Sequence, residues 1–432
     1  MKVLWLCNIV LPDYCEELGL KKTFVGGWMT GMLSQLENHD NLDIALCFPI
    51  IDSNRLKNGI LNNHSYYTFQ CNLYSHDYIN YDQRMVTDFE KILNDYKPDI
   101  VHIWGTEYPH SSAMVEACEK FGLLDRVVVN IQGLVSVYAE HFYASIPEKY
   151  RTLVTEGYTS IENDRELFIK KGKLEIRLLK KVKHVIGRTD WDKACTTQIN
   201  PEVNYHYCNE ILRDEFYKHI GEWKSEMCER HSIFISQSMY PIKGLHFLLK
   251  AMPIILKLYP DTHIYSAGSN VAKAVDGFIK PYGIYINELI NEYNLQDKIT
   301  FLGPLNEIEM CEHYLKANVF VSPSVVENES NSISEAKILG TPVVASYVGG
   351  VTNRIISGYD GFLYQHDTSY MLAYYICEIF KDDELAQRLS INGSHGMSII
   401  NDRQTNVNQN YLIYDEIYHS QGDKHGLFDE NF

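Results

Sequence analysis

Strand-length apolar runs alternate with helix-spaced segments along almost the whole chain, and near the middle the series starts again. In the first half the runs are VLWLCNIV, LDIALCFPI, DIVHIWG, RVVVNIQG and HVIGRT, separated by segments such as TDFEKILNDY and SSAMVEACEKFG with helical spacing. The second series is HSIFISQS, THIYSAGS, KITFLGP, NVFVSPS and TPVVASYV, with GLHFLLKAMPIILKLYP and EIEMCEHYLKAN between members. Parallel strands cannot be joined by a tight turn, so strands spaced by helices predict parallel α/β layers. Between the two series PEVNYHYCNEILRDEFYKHIGEWKSEMCER is polar and charged, strand spacing lapses, and a boundary near residue 210 is expected. The expected architecture is α/β throughout: a domain over 1–210, a second over 211–399, and a closing helix over 400–420 that can pack back on the first. A length of 432 residues suits two domains. In open sheets of this kind ligands settle outside the carboxyl ends of the strands, so chemistry is sought in the loops that follow them.

Composition narrows the function classes. A net charge of -17 argues against broad nucleic-acid binding, because a phosphate backbone is repelled unless one face is locally basic. One stretch breaks the trend: RELFIKKGKLEIRLLKKVK, Arg165 to Lys183, carries eight basic residues against Glu166 and Glu175. It reads either as a solvated helix face or as a surface for anionic lipid or substrate. The ten cysteines are scattered without zinc-ligand spacing and read as reduced core thiols of a cytoplasmic protein. The opening MKVLWLCNIVLPDY begins a strand at once and has no cationic n-region, so no signal peptide is expected. No apolar run approaches a membrane span, and any membrane contact is expected to be peripheral, at the inner face.

The densest chemistry lies in VSPSVVENESNSISEAKILGTPVVAS, Val321 to Ser346, read as strand, loop, helix and strand. Ser332 and Glu335 fit an S-x-x-E capping box, and Gly340 followed by Pro342 fits a helix stop. Capping leaves Glu327 unexplained. Carboxylates beside a helix N-terminus suit ligand hydroxyls, while the amides of the first turn stay available for phosphate.

This run, E327-x7-E335 between a P-S strand end and A-x-x-x-G-T-P-V-V-A-S, resembles the signature of the retaining GT-B glycosyltransferases of family four, glycosyl transferases group 1. YPIKGLHFLLKA (240–251), SAG (266–268), FLGPL (301–305), ANVFVSPS (317–324) and YVGGVTNRIISGYDGFLY (347–364) carry the same resemblance. In the first half it rests on GGW (26–28), KPDIVHIWG (97–105) and HVIGRTDWD (184–192). It implies two facing Rossmann-like domains, the second holding a nucleotide-diphosphate sugar and the first a saccharide or lipid-linked saccharide acceptor. It also implies retaining, metal-independent transfer with the leaving phosphate as base, no cofactor beyond the co-substrate, and a UDP-sugar as donor. Carried over by position, Glu327 takes hydroxyls of the donor sugar, Glu335 takes those of the ribose, and the amides around Ser330, Asn331 and Ser332 face the diphosphate. Lys243 neutralises the phosphates as they leave. Its other reading is a solvated lysine at a helix start, which the helix dipole disfavours.

The departures are specific. The arginine the family usually carries five residues before the lysine falls on Ser238, with Arg188, Arg213 and Arg354 as the nearest replacements by motif neighbourhood. A histidine of the first domain's sugar-facing loop falls on Gln132, which can still donate and accept. Gly26 and Gly27 open the first helix and either bring backbone amides to the donor or make a plain turn. His102 reads as a core histidine. Asp190-Trp191-Asp192 could be a metal motif, but Thr189 and Asp192 also make a capping box, and the cap is preferred. Tyr66, Tyr67, Tyr74, Tyr78 and Tyr81 could present rings to a sugar or pack as a hairpin. Two alternatives stay open: a sugar-binding subunit without transferase activity, and a nucleotide-sugar epimerase or phosphorylase on the same fold. An NAD enzyme is disfavoured, since no G-x-G-x-x-G follows the first strand.

Overall fold

The computed structural model describes residues 1–21, 26–37, 39, 41–51, 56–71, 83–275 and 277–420. The chain divides into two compact units, one of residues 1–137, 167–211 and 403 onward, the other of residues 138–166 and 212–402. The excursion 138–166, which a single cut near 210 leaves with the first unit, is held in the second by specific contacts. Lys149 and Tyr150 meet Glu288, His246 Nε2 donates to the Ala144 carbonyl at 2.7 Å, and Thr155 donates to the Ile279 carbonyl at 2.7 Å.

The first unit is built on β1 (Lys2–Leu6), β2 (Asp43–Ile50), β3 (Asn58–Leu61), β4 (His64–Gln70), β5 (Ile100–Trp104), β6 (Val127–Asn130), β7 (His184–Gly187) and β8 (Asn204–Tyr207), in the order β3-β4-β2-β1-β5-β6-β7-β8. All pairs are parallel except the β3–β4 hairpin. The alternation of side chains across a strand divides β1 between two cores: Leu4 and Leu6 pack on one face, Val3 and Trp5 on the other. Burial on both faces is why the central strands read as unbroken apolar runs rather than as alternating ones. The helix Arg403–His419 contributes Val407, Ile413, Tyr414 and Ile417 to the second of these cores. The Tyr414 hydroxyl accepts from Trp5 Nε1 at 3.0 Å and lies 2.5 Å from His102 Nδ1, which makes His102 a core residue. Tyr66 and Tyr67 lie in the β3–β4 hairpin and donate to Glu17 and Asp95. Tyr74, Tyr78 and Tyr81 lie outside the described residues.

The second unit has β9 (Glu229–Ile235), β10 (His263–Ala267), β11 (Ile299–Gly303), β12 (Ala317–Ser322), β13 (Val343–Ser346) and β14 (Phe362–Tyr364), in the all-parallel order β11-β10-β9-β12-β13-β14. The chain leaves β9 toward β10 and β11, then returns on the other side of β9 to lay down β12. The strand order therefore reverses between β9 and β12, which is where an open α/β sheet parts its loops and leaves a crevice at the carboxyl ends. Four strands lie outside the runs read from the sequence: β3 and β4, of which only the tyrosine-rich part reads as a possible hairpin, β8, inside the polar segment read as a lapse in strand spacing, and the three-residue β14. Among the described residues no helix is long and apolar enough to cross a membrane, and all ten cysteines are free.

His102, His110 and His246 are buried, and desolvation pushes each down to about 3 from the ordinary 6.5, in His246 against an opposing hydrogen bond to Ala144. An unfolded chain takes up protons at these rings as pH falls below 6.5, whereas the folded chain does so only near 3. Stability contributed by the neutral rings is thus lost as pH falls through that window, by up to about 1.4 kcal/mol per pH unit for each ring. The urea midpoint is expected to drop between pH 7 and pH 5, and His246→Gln to shallow the slope; a midpoint flat across this range would contradict the assignment.

Candidate functional site

The loops that follow β9 and β12 meet at the carboxyl end of the second sheet. After β9 the chain runs through Ser236 and Gln237 into a short 3-10 turn, Pro241–Lys243, and then the helix Leu245–Ile255. After β12 it runs from Pro323 to Ser330 and into the helix Asn331–Leu339. The two loops are joined by a backbone bond from Val325 N to the Ile242 carbonyl at 2.9 Å. Gly244, at φ 74°, makes this approach possible: a Cβ there would overlap the Pro323 carbonyl oxygen. A second glycine does the same from the loop after β13, because a Cβ on Gly349 would overlap the Glu327 carbonyl, to which Gly350 N donates at 3.0 Å.

Lys243 and Glu327, 84 residues apart in sequence, are brought to 2.8 Å by this junction. Both line one small polar pocket with Ser236, Gln237, Ser322, Pro323, Ser324, Ser330, Ser332 and Val321. Burial alone would lower the basicity of Lys243; the Glu327 carboxylate and the Tyr240 side chain outweigh it and hold the ammonium above its ordinary range. Ser324 Oγ also donates to Glu327, at 3.2 Å and to the same oxygen, Oε2, as the lysine. No partner meets Oε1 among the described residues, so half of this carboxylate is available to a hydroxyl donor.

Ser330 is the N-cap residue of the helix Asn331–Leu339, and its side chain makes no capping bond. The expected capping box of Ser332 and Glu335 is therefore not formed. The helix begins one residue after Ser330, Ser332 Oγ instead accepts from Ser236 Oγ at 2.8 Å, and Glu335 turns to partners far along the chain. Its Oε1 accepts from Arg213 Nη2 at 2.8 Å and its Oε2 from the Tyr314 hydroxyl at 3.2 Å. Without a cap from Ser330, the positive end of the helix dipole lies at the pocket that Ser330 and Ser332 line. Gly340, at φ 90°, closes this helix as expected.

Behind the loop lies a buried ionic frame. Glu329 Oε1 accepts from Arg354 Nε and from Ser334 Oγ, each at 3.0 Å, and Lys337 donates to Asp360 at 2.7 Å and to the Arg354 carbonyl. These pairs fasten the helix to the loop after β13. Two of the three candidate arginines are thus committed within the second unit, Arg213 to Glu335 and Arg354 to Glu329. Ser238 is fully buried, and its hydroxyl lies 2.8 Å from that of Ser266 on β10. Lys243 is accordingly the cation in the pocket lining.

The remaining expected site residues lie in the first unit. Gly26 is the N-cap of the helix Gly27–Leu36, with φ 88°. Gln132 Nε2 donates to Glu210 Oε1 and to Asn130 Oδ1, each at 2.6 Å, and Arg188 Nη1 lies 2.8 Å from Glu210 Oε2, so Gln132 and Arg188 share one buried carboxylate. Thr189 and Asp192 form the capping box of the helix Asp190–Ile199. Among the site features the sequence did not disclose, Gly244 and Gly349 had a local signal, in K-G after a turn and G-G after a strand. Tyr314 and Ser236 had none, and Arg213, which reads in the sequence as a candidate phosphate cation, is instead the partner of Glu335.

Residues 225–395 match the family described as glycosyl transferases group 1. An uncharacterized glycosyltransferase of Methanocaldococcus jannaschii is 32% identical over 127 residues, which cover 29% of this chain and 30% of that protein. A D-inositol 3-phosphate glycosyltransferase of Streptomyces avermitilis is 31% identical over 134 residues, covering 29% and 27%. The matches span under a third of the length of these curated relatives. Over nearly the whole chain the structure is similar to a sucrose-phosphate synthase from Thermosynechococcus elongatus (TM-score 0.69, 17% identity, 97% of this chain and 100% of that one). It is likewise similar to HepE of Anabaena in complex with UDP-glucose (TM-score 0.66, 16% identity, 96% and 100%). The fold is that of the GT-B glycosyltransferases, and the family match lies within the second unit, over residues 225–395.

Gly244→Ala is expected to cost at least about 2 kcal/mol, since it adds a clash with backbone to left-handed strain. Gly358→Ala is the control: its φ is 81° but nothing lies within 4 Å of the added carbon. Equal losses of urea stability in the two variants would show that the loop junction does not depend on Gly244.

Proposed function

We propose that the protein is a retaining glycosyltransferase that moves a sugar from a nucleotide-diphosphate donor, a UDP-sugar, to a saccharide or lipid-linked saccharide acceptor. The observation that carries this reading is the pairing of Lys243 with Glu327 in a pocket bounded by a helix N-terminus. A diphosphate placed there would meet the Lys243 ammonium and the first-turn amides around Ser330, Asn331 and Ser332, and Glu327 Oε1 would accept a hydroxyl of the sugar. During transfer the bond from the anomeric carbon to the diphosphate breaks and a bond to the acceptor oxygen forms on the same face. The acceptor's proton passes to the leaving phosphate oxygen. Lys243 favours this step by balancing the charge that builds on the departing group. That work asks for no bound metal, in line with a metal-independent, cytoplasmic enzyme. The acceptor is assigned to the first unit; Gly26, Gly27, Gln132 and Arg188, which also lie there, are read as donor-binding residues and keep that role in this proposal.

UDP is favoured by two structural neighbours, one in complex with UDP-glucose and one bound with UDP-2-fluoro glucose. A silent sugar-binding subunit is the second reading, and the serine at 238 is the observation that favours it, because it leaves one phosphate cation fewer. Incubation with a panel of nucleotide sugars separates the two: the transferase releases nucleotide slowly even without acceptor, and the binding subunit releases none. Lys243→Ala is expected to lower that release by at least about a hundredfold, the scale of losing a transition-state charge partner, while the thermal midpoint moves little. A parallel loss of folding stability would make the lysine structural.

Glu335 gives a sharper test. A carboxylate offers about four acceptor positions. Arg213 and Tyr314 occupy one on each oxygen, which leaves two for the vicinal hydroxyls of a ribose. UDP is expected to bind about tenfold more tightly than its 2′-deoxy counterpart, the scale of one charged hydrogen bond, and Arg213→Met to erase most of that preference by freeing the carboxylate to rotate. Calorimetric titration that finds UDP and 2′-deoxy-UDP bound alike by the unaltered protein would remove Glu335 from the ribose.

A further inference from the structure

The basic run Arg165–Lys183 resolves into side chains with different fates. Lys171 turns inward and lies over the Tyr108 and Phe168 rings at 5.5 and 5.9 Å. Glu175 is fully buried and accepts from Thr106 Oγ1 at 2.6 Å and from the Ser136 amide at 2.9 Å. Beyond the helix Ile161–Leu179, Lys181 pairs with Glu119 at 2.5 Å and Lys183 with Asp125 at 2.6 Å. At the start of the run Arg165 Nε donates to the Ala139 carbonyl at 2.9 Å and its guanidinium lies over the Tyr143 ring. What remains is Lys170, Lys173, Arg177 and Lys180. All four are exposed, and none forms an ion pair among the described residues.

Their spacing of three, four and three residues puts them on one face of the helix and its last turn, in a row about 15 Å long. Ile169 and Ile176 are partly exposed along the same stretch. Within the helix itself the exposed acid is Glu166, a turn before Lys170. In a chain of net charge -17, four neighbouring cations with no ion pair among the described residues form a local exception, of which Arg177 and Lys180 also suit the helix C-terminus.

We propose that this face rests on an anionic lipid surface. Charge complementarity selects the occupant. A nucleic acid would extend past the row and meet the acidic remainder of the chain, whereas a bilayer spreads negative charge over a plane that a short row of flexible side chains can reach. The long stems can lie beside Ile169 and Ile176 while the charged ends reach the headgroups. This contact is independent of what the second unit binds.

Sedimentation of the full chain with vesicles tests it. Binding to phosphatidylcholine vesicles containing phosphatidylglycerol is expected, with none to phosphatidylcholine alone and release at high salt. Replacing Lys170, Lys173, Arg177 and Lys180 with Gln is expected to lower the partition coefficient by about a hundredfold or more, from roughly fivefold per cation. Replacing the exposed Lys257, Lys273, Lys316 and Lys381 with Gln makes the same change of net charge and is expected to leave binding within about threefold, the residue of long-range screening-sensitive attraction. Absence of binding, equal binding to neutral vesicles, equal loss in both variants, or tighter binding to a single-stranded oligonucleotide than to the anionic vesicles would each overturn the proposal.

Discussion

The geometry of the candidate site depends on how closely two backbones approach at the point where the strand order of the second sheet reverses. The loop after β9 and the loop after β12 come together because residue 244 has no Cβ, and the bond from Val325 to the Ile242 carbonyl fixes their register. Reversal of strand order opens a crevice on general topological grounds. The glycine contact determines what lines it. With a side chain at 244, the turn carrying Lys243 would have to move off Pro323, and that displacement would pull the ammonium away from Glu327, which it now meets at 2.8 Å. Gly349 repeats the device from the other side, so the Glu327 backbone is held between two close approaches.

Charge in this unit is arranged in matched pairs. Lys243 with Glu327, Arg213 with Glu335, Arg354 with Glu329 and Lys337 with Asp360 tie the helix Asn331–Leu339 and its approach loop to separate stretches of chain. The two most deeply buried, Arg354 with Glu329 and Lys337 with Asp360, add little net stability over apolar packing, but removing one of their partners leaves an uncompensated charge and is costly. The value of all four pairs here is positional. They set the rotamers of three glutamates within nine residues, Glu327, Glu329 and Glu335, and they divide the labour: Glu329 is consumed by the frame, while Glu327 and Glu335 each keep acceptor capacity.

Much of this was legible in the sequence where the signal is local. The parallel α/β organisation follows from the alternation of runs, and the capping box at Thr189 and the glycine stop at Gly340 rest on four- or five-residue patterns that contain their own physics. The same kind of pattern misled at Ser332. S-x-x-E describes a cap only if the helix begins at the serine; here it begins earlier, and Glu335 answers to an arginine 122 residues away. No local motif can report that. The missed edge strands fail for a related reason: β3, β8 and β14 each have one neighbour in the sheet and need little continuous apolar sequence. The excursion 138–166 is an exchange of chain between units, decided by long-range partners such as Glu288 and His246.

Ser238 shows how the pairing logic constrains chemistry. The position is fully buried against Ser266, so a larger cation there would need a different path for the loop after β9. The pocket lining then has Lys243 as its cation, and that cation is neutralised at rest by Glu327. An incoming anion must therefore share the ammonium with the carboxylate. Three donors on an ammonium make sharing possible, and the helix amides supply the field that a second cation would otherwise provide. The resting pair also has a use: a partly buried ammonium without its counter-ion would tend to lose its proton, and Glu327 keeps it charged until the ligand arrives. Under the proposed function, one paired lysine beside the positive end of a helix would receive a departing diphosphate without the site first having to hold an unbalanced charge.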